Sequence, residues 1–219
     1  MSAPDATAEK TNARDRQKAA TWERILGAAR SVFFEWGFAD ASLDEVAKRA
    51  GVAKGTLYRH VESKTHLFVE VLIRDSEVFI EEMARVVSQT LPPTEKVLAI
   101  ARFYVDFFHE NPDRAQILWA VDNQDWIGEI QPDVVQRVTQ LFESQLRVFS
   151  DVIQQGIESG EFADCDPWVV AYAIWGLGDC YLNQARSRPR QVLFGKPIQV
   201  LYDDGLRLIL SGLLRREPA

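Results

Sequence analysis

The chain has 219 residues, 47% of them hydrophobic and 26% charged, and a formal charge of −7. That length suits one or two domains with a sizeable core. No apolar run approaches the roughly 20 residues of a membrane span, the polar N-terminus has no signal-peptide core, and Cys165 and Cys180 are too few for a disulfide framework or metal cluster. Two free thiols fit a reducing cytoplasm, and a single bridge between them is the alternative. The acidic balance is uneven: residues 1–74 carry +2 and residues 75–219 carry −9. A nucleic-acid partner therefore stays open, because the local field at the contact face decides phosphate binding.

Residues 1–18 lack large apolar side chains and are expected to be a disordered arm. Arg14, Arg16 and Lys18 read either as phosphate or minor-groove contacts or as a solvated tail. A helix follows over about 21–36, with Trp22, Ile25, Leu26, Ala29, Val32, Phe33 and Trp36 as one broad apolar stripe. Gly37 ends it, and Phe38 can fold back on the last turn.

The stretch Ser42–Lys64, SLDEVAKRAGVAKGTLYRHVESK, reads as a helix-turn-helix. Ser42 and Glu45 fit a capping box. Leu43, Val46, Ala47 and Ala50 share one face, and Gly51 suits the left-handed stop. Val52 and Leu57 anchor the next helix inward. Lys54, Thr56, Tyr58, Arg59 and His60 then face outward, and Gly55 allows close backbone approach. Such donors suit phosphates and base edges in a major groove. The alternative for this stretch alone is an ordinary helical hairpin with solvated polar residues.

Beyond it, Ser63 caps a helix running to about Gln89. Further helices are expected over about 94–110, from Pro112 through Val121, over 132–159, over 168–186 and over 197–214, with 122–131 and 187–196 as loops. No period-2 strand and no internal repeat appears. The fold class is all-α, with about nine helices. His60, His66 and His109 lie on different helices without metal-like spacing. No nucleophile motif or phosphate loop stands out, so no catalytic residue, metal or cofactor is assigned.

The segment Trp22–Leu72, with AARSVFFEWGF followed by ASLDEVAKRAGVAKGTLYRHVESKTHLF, resembles the N-terminal domain of the TetR family of transcriptional regulators. Two positions depart from the family pattern. Val61 stands where many members have Phe. Asp44 stands where some have an Arg that touches DNA, so no base contact is assigned to it. The resemblance implies a helix-turn-helix DNA-binding domain over 19–66 and a helical effector-binding and dimerisation domain over 67–219. It implies a homodimer on double-stranded operator DNA, more often a repressor, released by a small, largely apolar effector.

The expected DNA contacts are Ser42, Lys54, Gly55, Thr56, Tyr58, Arg59, His60 and Lys64, with Tyr58 and Lys64 on phosphates and Lys54 and Thr56 on base edges. The resemblance pairs the last two helices across the dimer, through Gly176, Leu206, Ile209, Leu210 and Leu213. The middle helices would enclose the effector between Phe103, Phe107, Trp119, Trp126, Phe142, Tyr172 and Trp175, with Gln116, Asp179 and Asn183 as polar anchors. For any single one of these aromatics core packing is the commoner role, since aromatics at helical spacing mostly fill a core. A DNA-binding protein without a ligand, whose body only dimerises or binds a protein partner, is the alternative function.

Overall fold

The computed structural model describes residues 6–120 and 132–215, and every regular element among them is helical. In chain order they are α1 (Ala6–Asp40), α2 (Leu43–Ala50), α3 (Lys54–Leu57), α4 (Lys64–Val87), α5 (Pro93–Glu110), α6 (Pro112–Ala120), α7 (Pro132–Glu158), α8 (Pro167–Ala185), α9 (Arg188–Phe194) and α10 (Ile198–Leu213). Two expectations change. Helix α1 begins at Ala6, where a disordered arm was expected, and α9 occupies part of the expected 187–196 loop. The chain divides into two compact units. One holds the chain up to Asp75 together with the segment from Asp113 to Val134; the other holds Ser76–Pro112 and the chain from Val135 onward. The boundary thus falls inside α4 rather than at residue 66, and α6 groups with the first unit rather than with the body.

In the first unit Ile25, Leu26, Ala29, Val32 and Phe33 of α1 are buried. Gly37 breaks the helix at φ 73°, a backbone state glycine adopts without steric cost. The break seats Phe38 against Phe33 and edge-on to Phe68 of α4. Trp36, expected in the stripe, is instead 42% exposed and lies under the Arg49 guanidinium. Ser42 caps α2 by accepting from the Glu45 amide. The Glu45 carboxylate does not complete a capping box; it accepts from Arg49, which also forks onto Glu35. Gly51 closes α2 in the left-handed conformation. Buried Asp75 of α4 takes a two-pronged ion pair from Arg30 of α1, with Arg114 of α6 at 3.5 Å.

In the second unit α8 packs against α5, α9 and α10. Phe79, from the second half of α4, is ringed by Phe103, Tyr104, Phe107 and Phe108 of α5. Two glycines make close packing possible. A Cβ on Gly178 would meet the Tyr104 ring at 2.9 Å, and one on Gly156 would meet the Phe162 ring at 2.1 Å. Polar pins join the elements: Arg102 of α5 forks onto Asp203 of α10, and the buried Tyr202 hydroxyl donates to the Ala101 carbonyl. The end of α10 is clasped to the turn after α7 by Ala163 N–H to Leu213 O (2.7 Å) and Arg215 N–H to Glu161 O (3.1 Å).

Candidate functional site

The short α3 is seated by Leu57, which is fully buried, and by the turn from Gly51. Its other side is open. Lys54, Gly55, Tyr58 and Arg59 are exposed, with Tyr58 at 56%. A Cβ at Gly55 would meet nothing within 4 Å, so its bare backbone is available to a partner surface. These donors are not idle in the free protein. The Lys54 ammonium pairs with the Asp44 carboxylate, and Arg59 donates to the Thr56 hydroxyl at 3.2 Å. His60 is half-buried and stacks on Trp22 of α1 at 5.6 Å. Desolvation, then the charges of Lys18 and Arg59, hold its imidazole below the usual histidine range.

Lys64 has a different neighbourhood from the one expected. Its ammonium donates to the Ala39 carbonyl at 2.8 Å and the Ala41 carbonyl at 3.1 Å, and sits 4.7 Å from the Phe38 ring centre. It ties α4 to the end of α1, with two of its three donors spent on the protein's own backbone.

The second unit holds a small cavity between α4, α5, α7 and α8. Phe79, Tyr104, Gln145, Leu146, Phe149 and Trp175 line it, and its volume is about 10 Å³. Beside it runs a polar chain: Trp175 Nε1–H donates to the Tyr104 hydroxyl at 2.8 Å, and that hydroxyl donates to Asp179. Burial and the Asp179 charge raise the Tyr104 phenol well above its ordinary value.

Of the expected pocket residues, Trp175 lines the cavity and Asp179 anchors its polar chain. Phe103 and Phe107 pack on Phe79, and Phe142 meets the edge of Trp175. The rest are elsewhere. Gln116 donates to the Phe34 carbonyl within the first unit, where Trp119 also lies. Tyr172 is 64% exposed and Asn183 is exposed. Trp126 lies outside the described residues. Tyr104, Gln145 and Phe149 were not anticipated. Gln145 had a signal: it interrupts the apolar stripe of Val138, Phe142, Phe149 and Val152 on α7.

The expected dimer residues also separate. Leu206 and Leu210 are buried within their own chain, at 0% and 3%, so a second copy cannot reach them. Ile209 and Leu213 are half-buried, and Gly176 is exposed with open space around it. Val169, Tyr172, Ala173 and Gly176 form an exposed stripe on α8, and Leu208 on α10 is 73% exposed.

The tetR family of bacterial regulatory proteins matches residues 25–71, and the tetracyclin repressor-like C-terminal domain matches residues 90–180. The uncharacterised HTH-type transcriptional regulator YhgD of Bacillus subtilis strain 168 is 30% identical over 165 residues, covering 70% of this chain and 78% of that protein. The chain belongs to the TetR family. As a TetR-family regulator it is a DNA-binding transcriptional regulator with an N-terminal helix-turn-helix.

Two solved structures share the TetR fold at low identity. The transcriptional regulator FadR of Bacillus subtilis, in complex with stearoyl-CoA, has a TM-score of 0.70 at 21% identity, covering 88% of this chain and 99% of its own. AibR, in complex with isovaleryl coenzyme A and operator DNA, has a TM-score of 0.66 at 17% identity, covering 89% and 100%. No described helix of the present chain is long and apolar enough to cross a membrane.

Proposed function

We propose that this TetR-family regulator works as a homodimer on a roughly palindromic operator and is released as a repressor by a coenzyme A thioester with a largely apolar acyl group. The observation that carries the DNA part is the open side of α3, where Lys54, Gly55, Thr56, Tyr58 and Arg59 stand together. Lys54 and Thr56 take base edges. Tyr58, Arg59 and His60 take phosphates, and Ser42, whose oxygen caps α2, retains a hydroxyl hydrogen for one. Lys64 positions this surface from behind. The acyl-thioester part is supported by the stearoyl-CoA and isovaleryl coenzyme A bound to FadR and AibR and by the aromatic cavity beside Trp175.

Sequencing DNA selected from a random pool by the purified protein tests the first part: enrichment of a two-fold symmetric site is expected, and no enrichment refutes it. Titrating the resulting complex with acyl-CoA thioesters of two to eighteen carbons tests the second; at least one should dissociate it.

A specific observation favours a second reading. A cavity of about 10 Å³ is far below the roughly 300–1,000 Å³ of ordinary ligand pockets. A body that only dimerises or binds a protein partner needs no larger space. Operator binding that no thioester disturbs would select this reading.

A further inference from the structure

The first unit has a second polar surface, which begins where α3 ends. Arg14, Lys18 and Trp22 follow at four-residue spacing and so share one face of α1. Trp22 stacks on His60, with the ring planes 17° from parallel, which turns that face toward the end of α3. An open groove of about 350 Å³ lies there, lined by Asp15, Lys18, Ala19, Trp22 and His60. Arg14 and Lys18 are exposed. The groove exists because α1 starts at Ala6 rather than near residue 21. His60 follows Tyr58 and Arg59 directly, so the groove continues the exposed donor surface of α3 onto α1.

We infer that this groove seats a phosphate of the operator's backbone between Lys18 and His60, one contact beyond the helix-turn-helix. The inference rests on the reading that the open side of α3 meets the duplex. A phosphate is the fitting occupant because phosphates flank any major groove that receives α3, and the lining sets an ammonium and an imidazole against the one carboxylate of Asp15. Lys18 then fixes position on the duplex and carries no sequence information. His60 makes the contact proton-linked. The charged groups around it are Asp15 and Lys18 of α1 and its neighbour Arg59. In the free protein desolvation, then Lys18 and Arg59, keep its imidazole below the usual histidine range, so the ring is neutral at about pH 7. A phosphate beside the ring favours its charged form. Between the free and bound titrations the complex therefore holds a proton that the free protein lacks. By linkage, affinity rises as pH falls through that window and levels off below the free-state titration, where both forms are charged.

The test is fluorescence anisotropy of the full-length protein and its Lys18→Ala, His60→Gln and Arg59→Ala variants on the selected operator and on an unrelated duplex, across salt and from pH 6 to pH 8. Lys18 is exposed, so Lys18→Ala should keep the melting temperature. It should weaken both duplexes by a similar factor and lower the salt slope by about one unit per protomer. Wild-type affinity should rise at least about threefold per unit as pH falls below 7, and His60→Gln should remove at least about half of that rise. An unchanged salt slope in Lys18→Ala overturns the inference. So does a pH response as steep in His60→Gln as in the wild type, or a loss in Lys18→Ala confined to the operator, which would make Lys18 a base contact. Arg59→Ala separates the two readings: if it weakens binding where Lys18→Ala does not, the α3 reading stands alone, and if neither variant matters, both fall. If glutamine disturbs the stack on Trp22, His60→Phe keeps an aromatic ring there while removing the proton.

Discussion

Tyr104 is the residue on which the second unit's interior turns. Its ring packs on Gly178, its hydroxyl accepts from Trp175, and its proton goes to Asp179. Burial and the neighbouring carboxylate raise its phenol above the ordinary value of 10.0. Above that pH the unfolded chain gives up the proton while the folded chain keeps it, so the folded state binds more protons and stability falls as pH rises. Thermal midpoints measured from pH 8 to pH 11 should decline above about pH 10. Tyr104→Phe should lessen the decline, the remainder coming from Tyr202 and Tyr181, whose phenols burial also raises, while losing about 1–3 kcal/mol at neutral pH, because Trp175 and Asp179 lose a partner. Lys64 gives a second prediction. Lys64→Ala removes two charge-assisted bonds to the end of α1, so the melting temperature should drop by a few degrees, at about 2–4 °C per kcal/mol for a chain of this size. Operator affinity should fall as well. A fall in affinity with an unchanged melting temperature would make Lys64 a direct phosphate contact only.

At the scale of elements, the exposed stripe on α8 and the outer face of α10 suit a second copy of the chain. Gly176→Asp and Leu208→Glu place a charge on an open surface of one protomer, so each should keep its helical spectrum and run as a monomer in light scattering. The cost acts only where the partner buries the charge unpaired. Leu206→Glu should instead unfold the protein, since Leu206 is interior to its own chain. An unchanged dimer in both surface variants would move the interface off these helices.

Much of the fold was legible in the sequence for local reasons. Caps and stops such as Ser42 and Gly51 act within one turn, and they appear where the pattern put them. Residues 6–18 were misread because a search for apolar stripes ignores the helix propensity of their Ala, Glu, Lys, Arg and Gln residues. The pocket was less legible for a different reason. Helical spacing gives the face of a residue but not the unit that face meets. Gln116 and Trp119 therefore went to the wrong unit, and the side of α8 bearing Tyr172 and Asn183 was taken for its inner one. Leu206 and Leu210 share helix α10 with the exposed Leu208, and only packing separates them.

For the whole molecule, α4 is the element that belongs to both units. It gives Leu67, Phe68, Val71 and Leu72 to the first unit and Phe79 and Met83 to the second, as one unbroken helix. Phe79 lines the cavity, so in the proposed mechanism the effector would act on α4 through Phe79. Two linked heads on a duplex require a half-site spacing of about 34–36 Å, and a ligand that prefers another α4 position shifts the population away from it. Typical couplings of about 1–3 kcal/mol would weaken operator binding about 5–150-fold. Linkage makes the operator weaken the effector by the same factor. Effector affinity measured with and without saturating operator should differ to that extent, and equal values would exclude this route for the compound tested.

The pairing of Lys54 with Asp44 bears on how the protein searches a chromosome. Before Lys54 can displace a counterion from a DNA phosphate it must give up its pair with Asp44 and bring that carboxylate near the duplex, so it adds little to indiscriminate, salt-driven adhesion. An exposed pair of this kind is worth at most about 1 kcal/mol, yet a genome presents about a million or more rival sites, and a few-fold reduction at each lowers the total held off target. A base edge able to accept from Lys54 would compensate for the broken pair; random sequence would not. Asp44→Asn should therefore strengthen binding to unrelated duplex a few-fold, steepen its salt dependence by up to about one unit, and leave the protein slower to find its operator among competing DNA.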